Sequence, residues 1–156
     1  MKILKKFVLI APILLLIACE KDPSSVDDSA QLEIDKQKIR AYLNQYNIKA
    51  DSTSEGLYYV IDTKSDTSTR KPTSTSKVKV DYKGYLLNGK VFDNGTGVSF
   101  FLTSLIPAWQ IGLPKFNEGD KGRLFVPSKL GYGKSGSGSI PANSPLIFDI
   151  TLIKVD

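Results

Sequence analysis

The chain has 156 residues, of which 21 are lysine or arginine and 16 are aspartate or glutamate, so its formal net charge is +5. It contains no histidine and a single cysteine. The lack of histidine excludes histidine-based general base catalysis and most zinc sites. The single cysteine excludes a disulfide within the chain.

The N-terminus has the pattern of an export signal. Three lysines within the first six residues precede an apolar run at 7–17, which is shorter than the roughly 20 residues of a membrane-spanning helix. The run closes on Leu16-Ile17-Ala18-Cys19, which resembles a bacterial lipobox. We therefore predict a lipoprotein signal peptide at 1–18 and lipidation of Cys19. An ordinary secretory signal beside an incidental free thiol is the alternative.

The segment after this signal is polar. Removal of residues 1–18 takes away three lysines and no acid, which leaves 18 basic and 16 acidic residues and a net charge of +2. That balance does not indicate nucleic-acid binding. Residues 19–30 lack apolar periodicity and predict a flexible tether. We assign residues 31–56 to a helical appendage, with its helix at 31 to about 47.

One apolar stripe defines the predicted helix. Leu32, Ile39, Leu43 and Tyr46 recur at helical spacing, and Asp28 is placed to cap the N-terminus. The stripe either docks on the following domain or mediates dimerisation. Docking is the preferred interpretation, because such a stripe is more often a packing face.

Residues 57–156 alternate β-like runs with turns and form the predicted main domain. Asn88-Gly89 is a strong hairpin signal, and the segment 106–113 around Trp109 suits one or two helical turns. Strands are expected at 57–62, 77–87, 90–93, 98–102, 122–126 and 146–155. This order predicts an α+β fold in which five or six antiparallel strands wrap around one short helix.

Seven segments carry a resemblance to a known family. In chain order they are Val80-Asp81-Tyr82-Lys83-Gly84, Asn88-Gly89-Lys90-Val91-Phe92-Asp93, Leu105-Ile106-Pro107-Ala108-Trp109, Gly119-Asp120-Lys121, Leu130-Gly131-Tyr132-Gly133, Ile140-Pro141-Ala142-Asn143 and Leu146-Ile147-Phe148-Asp149. Together they resemble the FKBP-type peptidyl-prolyl cis-trans isomerases. The lipobox, tether and helix are similar to lipoprotein members of that family from Bacteroidetes.

The resemblance implies an FKBP-like half-barrel sheet around the short helix, with a ligand cup between them and no cofactor or metal. The implied activity is isomerisation of X-Pro bonds in exported proteins. It implies catalytic roles for Asp93 and Tyr132. The implied substrate-binding residues are Tyr82, Phe92, Val98, Phe100, Leu105, Ile106, Trp109, Ile140 and Phe148.

The implied partners are proline-containing segments of exported proteins, a macrolide immunosuppressant, and the membrane through a lipid on Cys19, with no nucleic acid. The implied location is the bacterial cell envelope, lipid-anchored at the outer membrane, on its periplasmic face or at the cell surface. Two alternatives stay open: a non-catalytic proline-peptide-binding or chaperone module on the same fold, and a purely structural envelope lipoprotein.

Three departures from the family bear on rate. Relatives often pair the aspartate at position 93 with an arginine a few residues on, but residues 94–97 contain none. Val98 stands where many relatives carry a pocket phenylalanine. The loop 134–139 consists largely of glycine and serine, so we expect it to be mobile. These departures predict a working but weak isomerase.

Overall fold

The computed structural model describes residues 23–156. Two α-helices and six strands follow one another along the chain. They are α1 (Pro23–Gln45), β1 (Asp51–Ser52), β2 (Tyr58–Thr63), β3 (Lys77–Leu86), β4 (Val91–Phe101), α2 (Pro107–Gly112), β5 (Lys121–Val126) and β6 (Leu146–Val155). Short 3₁₀ segments lie at Leu102–Ser104, Leu113–Lys115 and Ser128–Leu130.

The six strands form one antiparallel sheet in the order β1-β2-β5-β6-β3-β4. The predicted hairpin joins β3 to β4, and Gly89 occupies the turn with φ +84°, a conformation that glycine adopts without strain. The expected strands at 90–93 and 98–102 are one continuous strand, β4. One register shift in its pairing with β3, at residues 95–98, lies between them, and a second lies at residues 91–93.

The concave face of the sheet packs on α2. Val80, Leu124, Ile150 and Leu152 are buried there together with Trp109 of the helix. Helix and sheet approach closely at Gly112, where a Cβ atom would lie 2.7 Å from a methyl group of Leu124. This is the predicted α+β arrangement of one short helix in the curve of an antiparallel sheet.

The long helix α1 covers the opposite face of the sheet. Ile39 and Leu43 pack with the fully buried Phe125 and Ile147 of β5 and β6. The prediction that this helix docks on the domain is therefore confirmed. Tyr46, at the end of the predicted stripe, is 56% exposed and does not belong to the buried part of the face.

The start of α1 corrects two expectations. The helix begins at Pro23, eight residues before the predicted Gln31, so residues 23–30 are helical rather than part of a tether. Asp28 lies within the helix and is not its cap; its carboxylate pairs with Lys134 at 2.9 Å. The predicted signal peptide at 1–18 and the lipidation site at Cys19 lie outside the described residues.

Within residues 23–156, no helix is both long and apolar enough to cross a membrane. The same part of the chain contains no group of three or more carboxylate or thiol side chains placed to hold a metal ion.

Candidate functional site

Trp109 is at the centre of an aromatic cluster between α2 and the sheet. α2 begins with Pro107 at its first helical position, where the missing N–H removes no hydrogen bond. The backbone N–H of Trp109 donates to the carbonyl of Ile106 at 2.9 Å. The indole therefore projects from a fixed first turn into the concave side of the sheet, where only 3% of the residue is exposed.

Three aromatic rings stand edge-on to this indole. The ring centroids of Tyr82 and Phe148 both lie 5.4 Å from that of Trp109, at interplanar angles of 85° and 89°. Phe100 lies at 6.3 Å and 86°. Edge-to-face contacts of this kind are the favoured geometry of aromatic pairs. The cluster thus holds the indole in one orientation.

The position of Gly84 in β3 makes room for two of the rings. A Cβ atom there would lie 2.6 Å from the ring of Phe92 and 2.9 Å from the ring of Phe148. Those two rings contact each other edge-to-face at 5.6 Å. A side chain at position 84 would therefore displace the wall of the cluster.

The cluster opens into a cavity of about 330 Å³. Of the eleven residues singled out for catalysis or substrate binding, eight line it. They are Tyr82, Asp93, Phe100, Leu105, Ile106, Trp109, Tyr132 and Phe148. Ser104 lines it too and was missed. In the sequence, only its position directly before the Leu105–Trp109 motif could have indicated it. Its hydroxyl donates a hydrogen bond to the carbonyl of Phe101 at 2.7 Å.

Phe92, Val98 and Ile140 are not among the residues that line this cavity. Phe92 packs behind it, against Phe148. Val98 pairs with Val80 in the β3–β4 hairpin. Ile140 is 6% exposed and belongs to the main core. Strand alternation and the register shifts of β4 place the side chains of Phe92 and Val98, and residue type alone does not reveal such shifts.

Asp93 lies exposed at the rim of the cavity, and neighbouring donors hold both of its oxygens. Its Oδ2 accepts a hydrogen bond from the Tyr82 hydroxyl at 2.8 Å. Its Oδ1 accepts one from the backbone N–H of Asn94 at 2.8 Å. The orientation of Asp93 is thus set by a phenol and a backbone amide.

The two phenols at the cavity are held in their neutral form. Burial and the hydrogen bond to Asp93 raise the pKa of Tyr82 to about 12. Burial also raises the pKa of Tyr132, and the negative charge of Asp93 adds to the effect. Both hydroxyls therefore keep their protons at neutral pH, and the Tyr132 hydroxyl can donate to a ligand carbonyl.

The chemistry that this cavity can perform follows from its lining. Its walls are mostly apolar and aromatic, and its titratable groups are one carboxylate and two protonated phenols. An apolar cavity with a few convergent polar groups suits binding and desolvation of a small apolar moiety. The site is equipped to bind and orient a ligand rather than to attack it.

Comparison with known proteins identifies the family. The sequence profile of the FKBP-type peptidyl-prolyl cis-trans isomerases matches residues 68–153. The chain is 42% identical over 109 residues to the FKBP-type peptidyl-prolyl cis-trans isomerase FkpA of Aeromonas hydrophila, covering 67% of this chain and 40% of that protein. It is 38% identical over 133 residues to FkpA of Escherichia coli K12, covering 82% and 48% respectively.

Comparison with solved structures indicates the same family. The crystal structure of FkpA from Escherichia coli matches with a TM-score of 0.68 and 34% identity, over 85% of this chain and 67% of that one. A peptidyl-prolyl cis-trans isomerase from Pseudomonas syringae matches with a TM-score of 0.69 and 31% identity, over 87% of this chain and 98% of that one. The chain belongs to the FKBP-type peptidyl-prolyl cis-trans isomerase family, and it spans about half the length of the FkpA proteins of Aeromonas hydrophila and Escherichia coli K12.

Proposed function

We propose that the protein is a peptidyl-prolyl cis-trans isomerase that acts on X-Pro bonds of exported proteins in the aromatic cavity. The observation that carries the proposal is the cluster of three rings standing edge-on to the buried indole of Trp109, next to a rim carboxylate and a neutral phenol. Family membership supports the same reaction. The reaction requires no cofactor.

The reaction asks for little covalent chemistry. Amide resonance sets a barrier of about 18–20 kcal/mol to rotation about the peptide bond, and uncatalysed X-Pro isomerisation takes tens to hundreds of seconds. The twisted transition state loses conjugation and with it the charge separation of the planar amide. An apolar cavity that removes water from the amide therefore favours the twisted form over the planar one.

The residues predicted to bind substrate have the following roles in this proposal. The indole of Trp109 is the floor beneath the proline ring. Tyr82, Phe100 and Phe148 form the walls, and Leu105 and Ile106 complete the binding surface. Phe92, Val98 and Ile140 act from behind the cavity by supporting its walls.

Two polar residues are proposed to act on the amide itself. The Tyr132 hydroxyl donates to the substrate carbonyl. Asp93 lies beside the twisting bond, held in place by Tyr82 and Asn94.

We further propose that residues 57–156 form the isomerase domain, with residues 23–56, which include α1, as its helical appendage. We place the protein in the bacterial cell envelope, anchored through a lipid on Cys19 after cleavage of the signal at 1–18.

Cys19→Ala should abolish lipidation and release the protein from membrane fractions. A variant that stays membrane-bound would show that the apolar run itself is the anchor.

A proline-peptide-binding module without catalysis is the second candidate. The observation that favours it is the arrangement at Asp93, whose partners are a phenol and a backbone amide instead of a cation. Such a module would bind proline peptides or a macrolide immunosuppressant without accelerating isomerisation.

A protease-coupled proline-peptide assay on the full chain separates the two candidates. An isomerase accelerates the cis-to-trans phase in proportion to its concentration. A binding module leaves that phase unchanged yet titrates with a proline peptide.

Three substitutions should impair binding, stability and turnover in different ways. Trp109→Ala removes the floor and should lower both binding and stability, by about 3–5 kcal/mol of unfolding free energy. Tyr132→Phe removes one hydrogen bond worth about 0.5–1.5 kcal/mol, so binding weakens while the fold remains. Asp93→Leu should reduce kcat more than binding, with each tenfold loss equal to about 1.4 kcal/mol. Equal losses in kcat and in binding for Asp93→Leu would contradict its proposed role.

A further inference from the structure

A buried carboxylate connects the docked helix to the loop that carries Tyr132. Asp35 of α1 is fully buried. Its Oδ2 accepts a hydrogen bond from the backbone N–H of Ser128 at 2.8 Å and a second one from the Ser128 hydroxyl. Its Oδ1 accepts a hydrogen bond from the side-chain amide of Gln31 at 2.8 Å.

The backbone of Ser128 links Asp35 to the loop that carries Tyr132. The carbonyl of Ser128 accepts the N–H of Gly131 at 2.9 Å and the N–H of Gly133 at 2.8 Å. These two residues flank Tyr132 on either side. The backbone on both sides of Tyr132 is therefore connected, through Ser128, to the buried carboxylate of α1.

An ion pair also connects α1 to this loop, in a more exposed place. A surface cavity of about 330 Å³ lies between them beside these contacts, and polar or charged side chains line it, among them Asp28, Lys129 and Lys134. The ion pair between Asp28 and Lys134 is about half exposed on both sides, and exposed pairs contribute little. Hydrogen bonds to a buried carboxylate are charge-assisted and considerably stronger. Asp35 is thus a buried, charge-assisted connection between α1 and the loop.

Docking of the helix alone does not require this carboxylate. Ile39 and Leu43 already bury an apolar face of α1 against Phe125 and Ile147. Burying a charge costs free energy that an apolar side chain at the same position would not cost. Apolar docking therefore does not account for a carboxylate at this position of the helix.

We propose that Asp35 is a positioning residue that acts through Ser128 to hold the Tyr132 hydroxyl at the cavity. This rests on the proposed function for its effect on catalysis, but not for its effect on the loop. It makes α1 a functional part of the isomerase rather than a spacer. Displacement of a catalytic group by about 1 Å can cost on the order of a hundredfold in rate, so loosening this loop is measurable.

The test combines a double-mutant cycle with amide exchange on the full chain. Asp35→Asn should lower kcat/KM by about three- to tenfold, which is no more than the loss expected for Tyr132→Phe, with a smaller loss for Ser128→Ala, which keeps the backbone bond to Asp35. In a Tyr132→Phe background, Asp35→Asn should cost less than about twofold, because the group that it positions is gone. Hydrogen exchange of the amides at 131–133 should become faster in Asp35→Asn, while exchange in β3 and β6 stays as in the wild type.

The matched control is Glu33→Gln, an exposed acid on the same helix that pairs with Lys36; it should change neither activity nor exchange. Equal losses for Asp35→Asn with and without the Tyr132 hydroxyl would overturn the proposal, and so would unchanged exchange at 131–133. If the wild type does not accelerate isomerisation, the proposed function fails, while exchange at 131–133 still decides whether Asp35 holds the loop.

Discussion

The docking of α1 can be tested with two isoleucines of the same helix. Ile39 is fully buried against the outer face of the sheet, whereas Ile34 is 45% exposed. Ile39→Ala removes the same atoms as Ile34→Ala, but from a packed site. Truncation of a buried isoleucine to alanine costs about 2–5 kcal/mol, and a surface substitution changes stability by about 0.5 kcal/mol or less.

Urea unfolding measures the difference. For a slope of about 2 kcal/mol per molar urea, Ile39→Ala should lower the midpoint by about 1 to 2.5 M, while Ile34→Ala should leave it almost unchanged. The fluorescence of Trp109, the single tryptophan, reports the cavity side of the sheet, and far-UV circular dichroism reports α1. Both signals should shift together, because helix and cavity share the strands β5 and β6.

Two results would refute this reasoning. Equal costs for the two variants would mean that the exposed face of α1 is buried in solution, as in a dimer. A shift of the helical signal without a shift in Trp109 fluorescence would mean that α1 unfolds independently of the domain.

Two further predictions concern the cavity. Gly84→Ala should cost about 1–3 kcal/mol of stability and weaken proline-peptide binding, because its methyl group displaces Phe92 and Phe148; unchanged near-UV circular dichroism and affinity would contradict it. The raised pKa of Tyr82 predicts a stabilising contribution that is fully present below about pH 10 and lost as pH rises towards about 12. Between these values the stability of the wild type should fall more steeply than that of Tyr82→Phe, and parallel pH profiles would count against the Tyr82–Asp93 interaction.

The sequence predicted those elements whose local signals agree with the tertiary structure. Asn88-Gly89 specified the β3–β4 turn, and Pro107 with Trp109 specified α2, because turn chemistry and helix-start chemistry are local. The break predicted between 93 and 98 was wrong. The N–H of Gly97 in this segment donates to the carboxylate of Asp81 at 2.7 Å, a long-range contact that local composition does not reveal.

Local sequence signals also failed to predict two features of helix α1, its buried carboxylate and its first residue. Its buried face contains Asp35 beside Ile39 and Leu43, and a carboxylate interrupts an apolar stripe when the sequence is taken alone. Its burial becomes intelligible only from Ser128, 93 residues further along the chain. The start of the helix was likewise missed, because residues 23–30 are polar and carry no apolar periodicity.

For the candidate site, family motifs located most of the cavity, and strand register decided the rest. Tyr82, Trp109 and Phe148 line it together because their motifs lie on β3, α2 and β6, which meet at the concave face. The position of Val98 depends on register shifts in β4. The hydrogen bond from Tyr82 to Asp93 likewise follows from folding, whereas the other partner of Asp93, the backbone amide of Asn94, is its neighbour in the sequence.

The central claim is that X-Pro isomerisation takes place in the aromatic cavity. Two-dimensional NMR exchange spectroscopy on a proline peptide tests this in a single sample. The isotope-labelled full chain is present in catalytic amount. The account predicts faster cis–trans exchange of the peptide, together with chemical-shift changes concentrated at Tyr82, Asp93, Leu105, Trp109 and Tyr132. Exchange at the uncatalysed rate, or acceleration accompanied by shift changes away from the cavity, would contradict it.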